Sequence, residues 1–461
     1  LHLSKSRSEH IAYLSPKKRT MRLAFSLFLF SLLLFSSCGT SRHAERRFSK
    51  KIQKEVEKSP VFRRAFTGFT LLDPETGKTL ADVNGDKYFT PASNTKILTL
   101  ATCLEVLADS VPGMQMIDAE GKLIFRGTAD PTFLHPFFQN WQACRDTLLA
   151  HRFDSLRYLP RQFPEKRFGP GWAWDDYNEY YQPERSEMPI YGNCLKITAN
   201  GRDSFVVKPV FFKEKFFLKM AGHRVGTERM EYENFWGIEG FNKANSRFLP
   251  FRTSPDVFEM LLSDTLRSNV EDISYTEHPY HRLYPTKTIF STPLDTVLRR
   301  MMYQSDNFIA EQMLLVCAGQ KFDVLRQDTM IKWMLDSALT SLPQRPRWVD
   351  GSGLSRYNLI SPRDLAQVLL KLWQKQPHEF LLSLFPAGGV NGTVADFYKG
   401  KNGKPYVFAK TGGMSGVHCL SGYVVTKRGK TLIFSFMHNN FVGSNKPWKE
   451  EMQRILELVA N

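Results

Sequence analysis

The sequence predicts a mixed α/β chain of two or three domains, carrying a long strand-rich insertion. Three observations lead there. The 461 residues are too many for one small core. Both ends of the folded region combine hairpin-like strands with helices. Between them, from about Val111 to Tyr284, short strand-like pieces are broken by Gly, Pro and aromatic clusters.

Taken in order, residues 1–20 are polar and basic and are expected to precede a start at Met21. Met21-Arg22, the apolar run Leu23 to Phe35 and Ser36-Ser37-Cys38-Gly39 read as a secretory signal over 21–37. The run is short for a membrane span. Its ending resembles a bacterial lipobox, in which Cys38 would become the acylated first residue. The alternative is ordinary cleavage near Ser37. Residues 38–60 are charged and suit a tether.

Phe66 to Leu72 reads as a strand, Asp73-Pro74-Glu75-Thr76-Gly77 as a turn and Thr79 to Val83 as the return strand. A helix follows from Ser93 to about Leu107, with Val111-Pro112-Gly113 expected to end it. Lys122 to Phe125 and Ser204 to Met220 look strand-like. Gly171 to Tyr177 reads as a packed aromatic corner without a catalytic role.

Helical periodicity returns over Leu294 to Met302 and again from Phe308 to about Cys317, with Ser305-Asp306-Asn307 at the break. Asp350 to Arg356 is a glycine-rich loop. Ser361-Pro362 opens a helix as cap and first residue. Strands are expected over Tyr406 to Ala409, Val417 to Val425 and Thr431 to Met437, then an amphipathic helix from about Trp448 to Val459. The expected division is 61–112 with 285–461 as one domain and 113–284 as the insertion.

The net charge of +16 comes partly from the basic first 54 residues and suits an anionic neighbour. No helix-turn-helix, zinc-finger or RNA-binding signature is present, so no nucleic-acid partner is expected. The six cysteines include no Cys-x-x-Cys pair, and no His-Glu-x-x-His occurs, so neither a metal nor a cofactor is expected. Cys144 and Cys194 either pair or stay buried thiols.

Three short motifs stand in order: Ser93-x-x-Lys96, Ser305-Asp306-Asn307 and Lys410-Thr411-Gly412. Residues i and i+3 share a helix face, so Ser93 and Lys96 can meet. A serine needs a base beside it, and burial lowers a lysine's pKa enough to serve. In acyl transfer Ser93 would attack and Lys96 would take its proton. Ser305 could shuttle that proton to the leaving nitrogen, and Asn307 could hold Lys96 and the substrate backbone. Lys410 and Thr411 would face a substrate carboxylate. Gly412 would let substrate lie close, and the Ser93 and Gly413 N–H groups would receive the oxyanion.

Together the motifs mark β-lactamases and penicillin-binding proteins. The chain from about residue 66 onward resembles the class C low-molecular-mass penicillin-binding proteins, serine D-Ala-D-Ala carboxypeptidases/endopeptidases of family S13. The resemblance also rests on Thr90 to Lys96, on Phe125 to Thr132 with its Gly-x-x-Asp-Pro, on Gly171 to Tyr181 and on Asp350 to Arg356. It implies a transpeptidase-like α/β fold, an antiparallel sheet flanked by helices, with inserted mostly-β subdomains after the nucleophile helix. It implies D,D-peptidase action on peptidoglycan stem peptides and acylation by β-lactams. With the lipobox it implies a periplasm-facing lipoprotein of the bacterial cell envelope.

Gly413 stands where this family often has Thr, and residues 182–186 depart from its usual wording. A class A β-lactamase would need a Glu-x-x-x-Asn after Asn307, and none lies before Lys410. The span from Lys96 to Ser305 is also too long for one. A non-catalytic peptidoglycan-binding lipoprotein on the same scaffold is the other alternative.

Overall fold

A computed structural model describes residues 43–461 apart from 120–121, 153–154, 201–204, 219–225, 240–245, 274–286 and 401–402. Residues 1–20, the signal segment 21–37 and Cys38 lie outside the described residues. Helix α1, residues 43–58, occupies most of the stretch expected to be a tether.

Strands β1 (Phe66–Asp73) and β2 (Lys78–Val83) form the first hairpin. The Asp73 carboxylate closes its turn by accepting from Glu75 N and Thr76 Oγ1. The tight turn Ala92–Thr95 then runs into α2 (Lys96–Val106). The helix stops at Leu107, which is extended, so Val111-Pro112-Gly113 is not its terminator. Those residues lie inside β3 (Ser110–Ala119), which pairs with β4 (Lys122–Gly127).

The region beyond holds α3 (Ala143–Ala150), β5 (Ser155–Tyr158), β6 (Cys194–Ala199), β7 (Phe205–Lys208), β8 (Phe216–Leu218), β9 (Gly226–Arg229), β10 (Trp236–Glu239), β11 (Ser246–Pro250), α4 (Pro255–Leu266) and β12 (Val270–Asp272). The single strand expected over Ser204 to Met220 is split. Pro209 has no N–H to give a ladder, and Val210–Lys215 turns helically between β7 and β8.

The chain returns through β13 (Lys287–Pro293), which pairs with β3, so the strands at the two ends of this region lie side by side. Helices α5 (Leu294–Tyr303), α6 (Asn307–Phe322), α7 (Gln327–Asp336), α8 (Pro362–Lys375) and α9 (His378–Ser383) follow. Strands β14 (Val407–Met414), β15 (Val417–Val425) and β16 (Thr431–Asn439) and helix α10 (Lys446–Ala460) complete the fold.

The main sheet has the order β14-β15-β16-β1-β2, and every pairing is antiparallel. The chain's two ends thus build one sheet, and the lysine-bearing strand β14 forms its edge. Helix α8 packs on β1, β15 and β16, and α10 packs on β15. Leu365, Val368, Leu369 and Leu372 bury one face of α8 at helical spacing. Ser361 caps it, its Oγ accepting from Asp364 N at 3.1 Å with Pro362 at the first position. Helix α6 is buried along its whole middle, Phe308 to Ala318, and packs against α2.

One apolar core joins α2, α5, α6, α8 and the main sheet. A second, with Phe125, Tyr158, Leu195, Trp236 and Phe258, lies among the strands between β3 and α4. Cys103, Cys144, Cys194, Cys317 and Cys419 are all free and buried, so Cys144 and Cys194 form no disulfide.

Candidate active site

Ser93 sits in the tight turn before α2, and a close-packed backbone holds it there. Ala92 is left-handed, at φ 47°. Its carbonyl lies where a Cβ on Gly353 would fall, 1.9 Å away, and Gly353 is itself at φ +83°. Strand β14 closes in from the other side. A Cβ on Gly412 would meet Pro91 O at 2.4 Å and Ser93 N at 3.2 Å, so only glycine brings this strand so near the serine. Gly413 is exposed, and a Cβ there would meet nothing. The Asn94 amide ties the turn to β15, donating to Ser421 Oγ at 2.8 Å.

One turn later Lys96 is fully buried. Its Nζ lies 3.1 Å from Ser93 Oγ, 2.6 Å from Asn307 Oδ1 and 2.7 Å from Ser352 O. As an ammonium it donates to all three. As a neutral amine it keeps two N–H groups, for the two oxygens that can only accept, Asn307 Oδ1 and Ser352 O. Its lone pair is then left for the Ser93 hydroxyl. Asn307 is fixed in this sense because its Nδ2 donates to Tyr181 O at 3.0 Å. Burial pulls the Lys96 pKa down to about 8, against the carboxylates of Asp350, Glu311 and Asp306, which raise it.

Ser305 comes from the break between α5 and α6, held at φ 56°. Asp306 caps α6, accepting from Ile309 N, and takes Arg300 Nε at 3.3 Å. Lys410, fully buried on β14, donates to Ser305 Oγ at 2.9 Å and Thr411 O at 2.7 Å. Burial first, and the like charge of Lys96 second, hold its pKa well below the ordinary lysine value. A bound carboxylate would restore its proton. Thr411 Oγ1 donates to Thr393 Oγ1 at 2.6 Å.

The three motifs thus converge, and the structure brings in partners that they do not name. The Asp350 carboxylate shapes the glycine-rich loop. It accepts from Gly353 N and Asn358 Nδ2 on one oxygen, and from Ser355 N and Trp172 Nε1 on the other. Trp172 belongs to the stretch expected to be only an aromatic corner. That stretch lines the cleft, a cavity of about 980 Å³ that also takes in Ser93, Ser305, Asn307 and Gly413. His135 lies in its wall, its pKa lowered to about 4 by burial. His418 sits opposite Gly413 in the β14–β15 ladder, buried.

A cleft-facing serine on a buried lysine, beside a second lysine and a serine, can transfer an acyl group, with proton acceptor, proton donor and anion site all in place. The comparisons with known proteins agree with that chemistry. The D-Ala-D-Ala carboxypeptidase 3 (S13) family matches residues 48–206 and 260–461. A D-alanyl-D-alanine carboxypeptidase of Actinomadura sp. (strain R39) is 37% identical over 84% of this chain and 80% of its own. The D-alanyl-D-alanine carboxypeptidase DacB of Haemophilus influenzae is 24% identical over 95% of this chain and 97% of its own. The crystal structure of penicillin binding protein 4 from Haemophilus influenzae shares the fold, with a TM-score of 0.70 at 19% identity over 89% of this chain and 99% of that one. With the family match running through all three motifs, the chain belongs to the D-Ala-D-Ala carboxypeptidase (S13) family of serine peptidases, the class C low-molecular-mass penicillin-binding proteins.

Proposed function

We propose that this protein is a serine D,D-peptidase that cleaves peptidoglycan stem peptides on the carboxyl side of D-alanine, and that β-lactams acylate the same serine. The observation that carries the reading is the placement of Lys96 Nζ, against Ser93 Oγ and two fixed acceptors. The Ser93 oxygen adds to the carbonyl carbon of the penultimate D-Ala as its proton passes to Lys96. The Ser93 and Gly413 N–H groups receive the oxyanion. When the C–N bond breaks, the Ser305 hydroxyl protonates the leaving amine and is reprotonated from Lys96. Lys410 and Thr411 hold the terminal carboxylate. Water then releases the acyl group by the reverse proton path.

The test is incubation with a D-Ala-D-Ala-ended pentapeptide and, separately, with crosslinked muropeptide dimers. Free D-Ala marks the carboxypeptidase and conversion of dimer to monomer the endopeptidase. Ser93→Ala should lose whichever the wild type shows. Activity retained in that variant would remove Ser93 from the reaction.

The Ser36-Ser37-Cys38-Gly39 sequence supports a lipid anchor and a periplasm-facing place in the bacterial envelope. In bacteria labelled with radioactive palmitate, incorporation should depend on Cys38. A Cys38→Ala protein that still takes up label would contradict the anchor.

A further inference from the structure

One turn after Asn307, helix α6 presents a second group to the site. Glu311 is 1% exposed. Its Oε1 accepts from Ser352 N at 2.7 Å, and the carbonyl of the same residue accepts from Lys96 Nζ, also at 2.7 Å. One residue therefore joins the carboxylate to the amine. The other oxygen, Oε2, accepts from Gln327 Nε2 at 2.7 Å. Gln327 Oε1 in turn accepts from Arg185 Nη1 at 2.6 Å, and Arg185 pairs with Glu165 at 3.1 Å.

We propose that Glu311 is a positioning residue for acylation: it pins the Ser352 carbonyl on Lys96 and supplies a buried negative charge that balances the ammonium formed when Lys96 takes the Ser93 proton. The proposal rests on Ser93 and Lys96 being nucleophile and base. An ammonium formed out of contact with water is strongly disfavoured unless charge and hydrogen bonds answer it. The groups that face Lys96 divide that work. Lys410 on β14 opposes the new charge. Asp306 is paired with Arg300. Asp350 has all four of its hydrogen bonds within the loop and from Trp172. Glu311 alone among these acids takes the N–H of the residue that holds the amine. Its direct donors, Ser352 N and Gln327 Nε2, are neutral, and Arg185 stands one side chain further back. Burial and the charge of Asp350 raise the Glu311 pKa, whereas Arg185 and the two donors oppose the rise.

The experiment is the rate of acylation by a chromogenic penicillin against pH, in wild type, Glu311→Gln and Glu311→Asp, with thermal unfolding to establish that each folds. Gln keeps an acceptor for Ser352 N but removes the charge. The midpoint of its alkaline-rising limb should fall by about one pH unit, the low end of what an adjacent opposite charge supplies. Asp keeps the charge on a shorter stem, so its limb should stay at the wild-type midpoint while acylation slows. A folded Glu311→Gln protein with an unmoved midpoint would overturn the proposal. So would a Glu311→Asp midpoint displaced to lower pH, which decides the matter if the Gln variant does not fold. A wild type that is not acylated, or whose rate ignores pH, would instead overturn the assignment of Ser93 and Lys96.

Discussion

As the proposed base, Lys96 meets two opposed demands. It must be neutral to take a proton and charged a moment later, and its surroundings answer both. Burial lowers the pKa, nearby carboxylates limit the fall, and the value of about 8 leaves a usable neutral fraction near neutrality. Acylation by a penicillin should therefore rise with pH and level off above about 8 as Lys96 loses its proton. A rate that falls over the same range would contradict Lys96 as the base. The Ser-x-x-Lys pairing was legible in the sequence because a helical turn brings i and i+3 together, and the tight turn Ala92–Thr95 ahead of α2 does so here. Asn307 as a partner of the amine was legible too, but the backbone acceptors were not. Ser352 O takes the amine and Tyr181 O takes the Asn307 amide, and every residue type carries a carbonyl, so no pattern of side chains announces them. Glu311 did leave a trace, an acid four residues after Asn307 inside an apolar helix, but it has meaning only once Ser352 is seen beside it.

Among the elements, the pressing of β14 against the serine turn decides which glycines matter. Gly412→Ala would drive a Cβ into Pro91 O and displace the strand. It should slow acylation sharply, read as the second-order rate with penicillin. Gly413→Thr has open space and should fold with an unchanged Tm. It would also add a hydroxyl beside Lys410 and Thr411, so the KM for a carboxylate-ended peptide should fall. A rise in KM would show that Gly413 is the better fit to this cleft. At the head of α8, Ser361→Ala removes a cap and should cost about 1 kcal/mol in a denaturant titration. The cap and the strands of the main sheet could be read locally, from Ser-Pro at a helix start and from apolar runs between turns. The middle region could be read only in part, at Lys122 to Phe125, which lies in β4. Its strands are short, and Val111-Pro112-Gly113 has turn chemistry yet lies in β3. There Gly113 is packed so closely that a Cβ would meet Cys144 Sγ at 2.5 Å.

Across the whole molecule, the main sheet brings the first hairpin, β1 and β2, beside the last strands, and so closes the cleft from residues far apart in sequence. The same sheet buries His418 opposite His438, with His418 Nδ1 unpartnered and His438 Nδ1 bonded to Thr67 Oγ1 at 2.9 Å. Burial, with a smaller effect from Lys449, lowers the His418 pKa to about 4. In the unfolded chain it would titrate near 6.5, so the unfolded state binds more protons between these values. His418 therefore costs stability progressively as pH falls from about 6.5 to about 4. His418→Leu should gain stability relative to wild type over that window, measured by denaturant unfolding at each pH. A difference that does not change with pH would mean that His418 is not buried neutral.

The measurement that tests the central assignment most directly is intact mass spectrometry after incubation with a fluorescent penicillin, followed by peptide mapping. One covalent adduct should appear, mapping to Ser93, lost slowly and absent from the folded Ser93→Ala protein. No adduct on the wild type, or one that persists in Ser93→Ala, would contradict it.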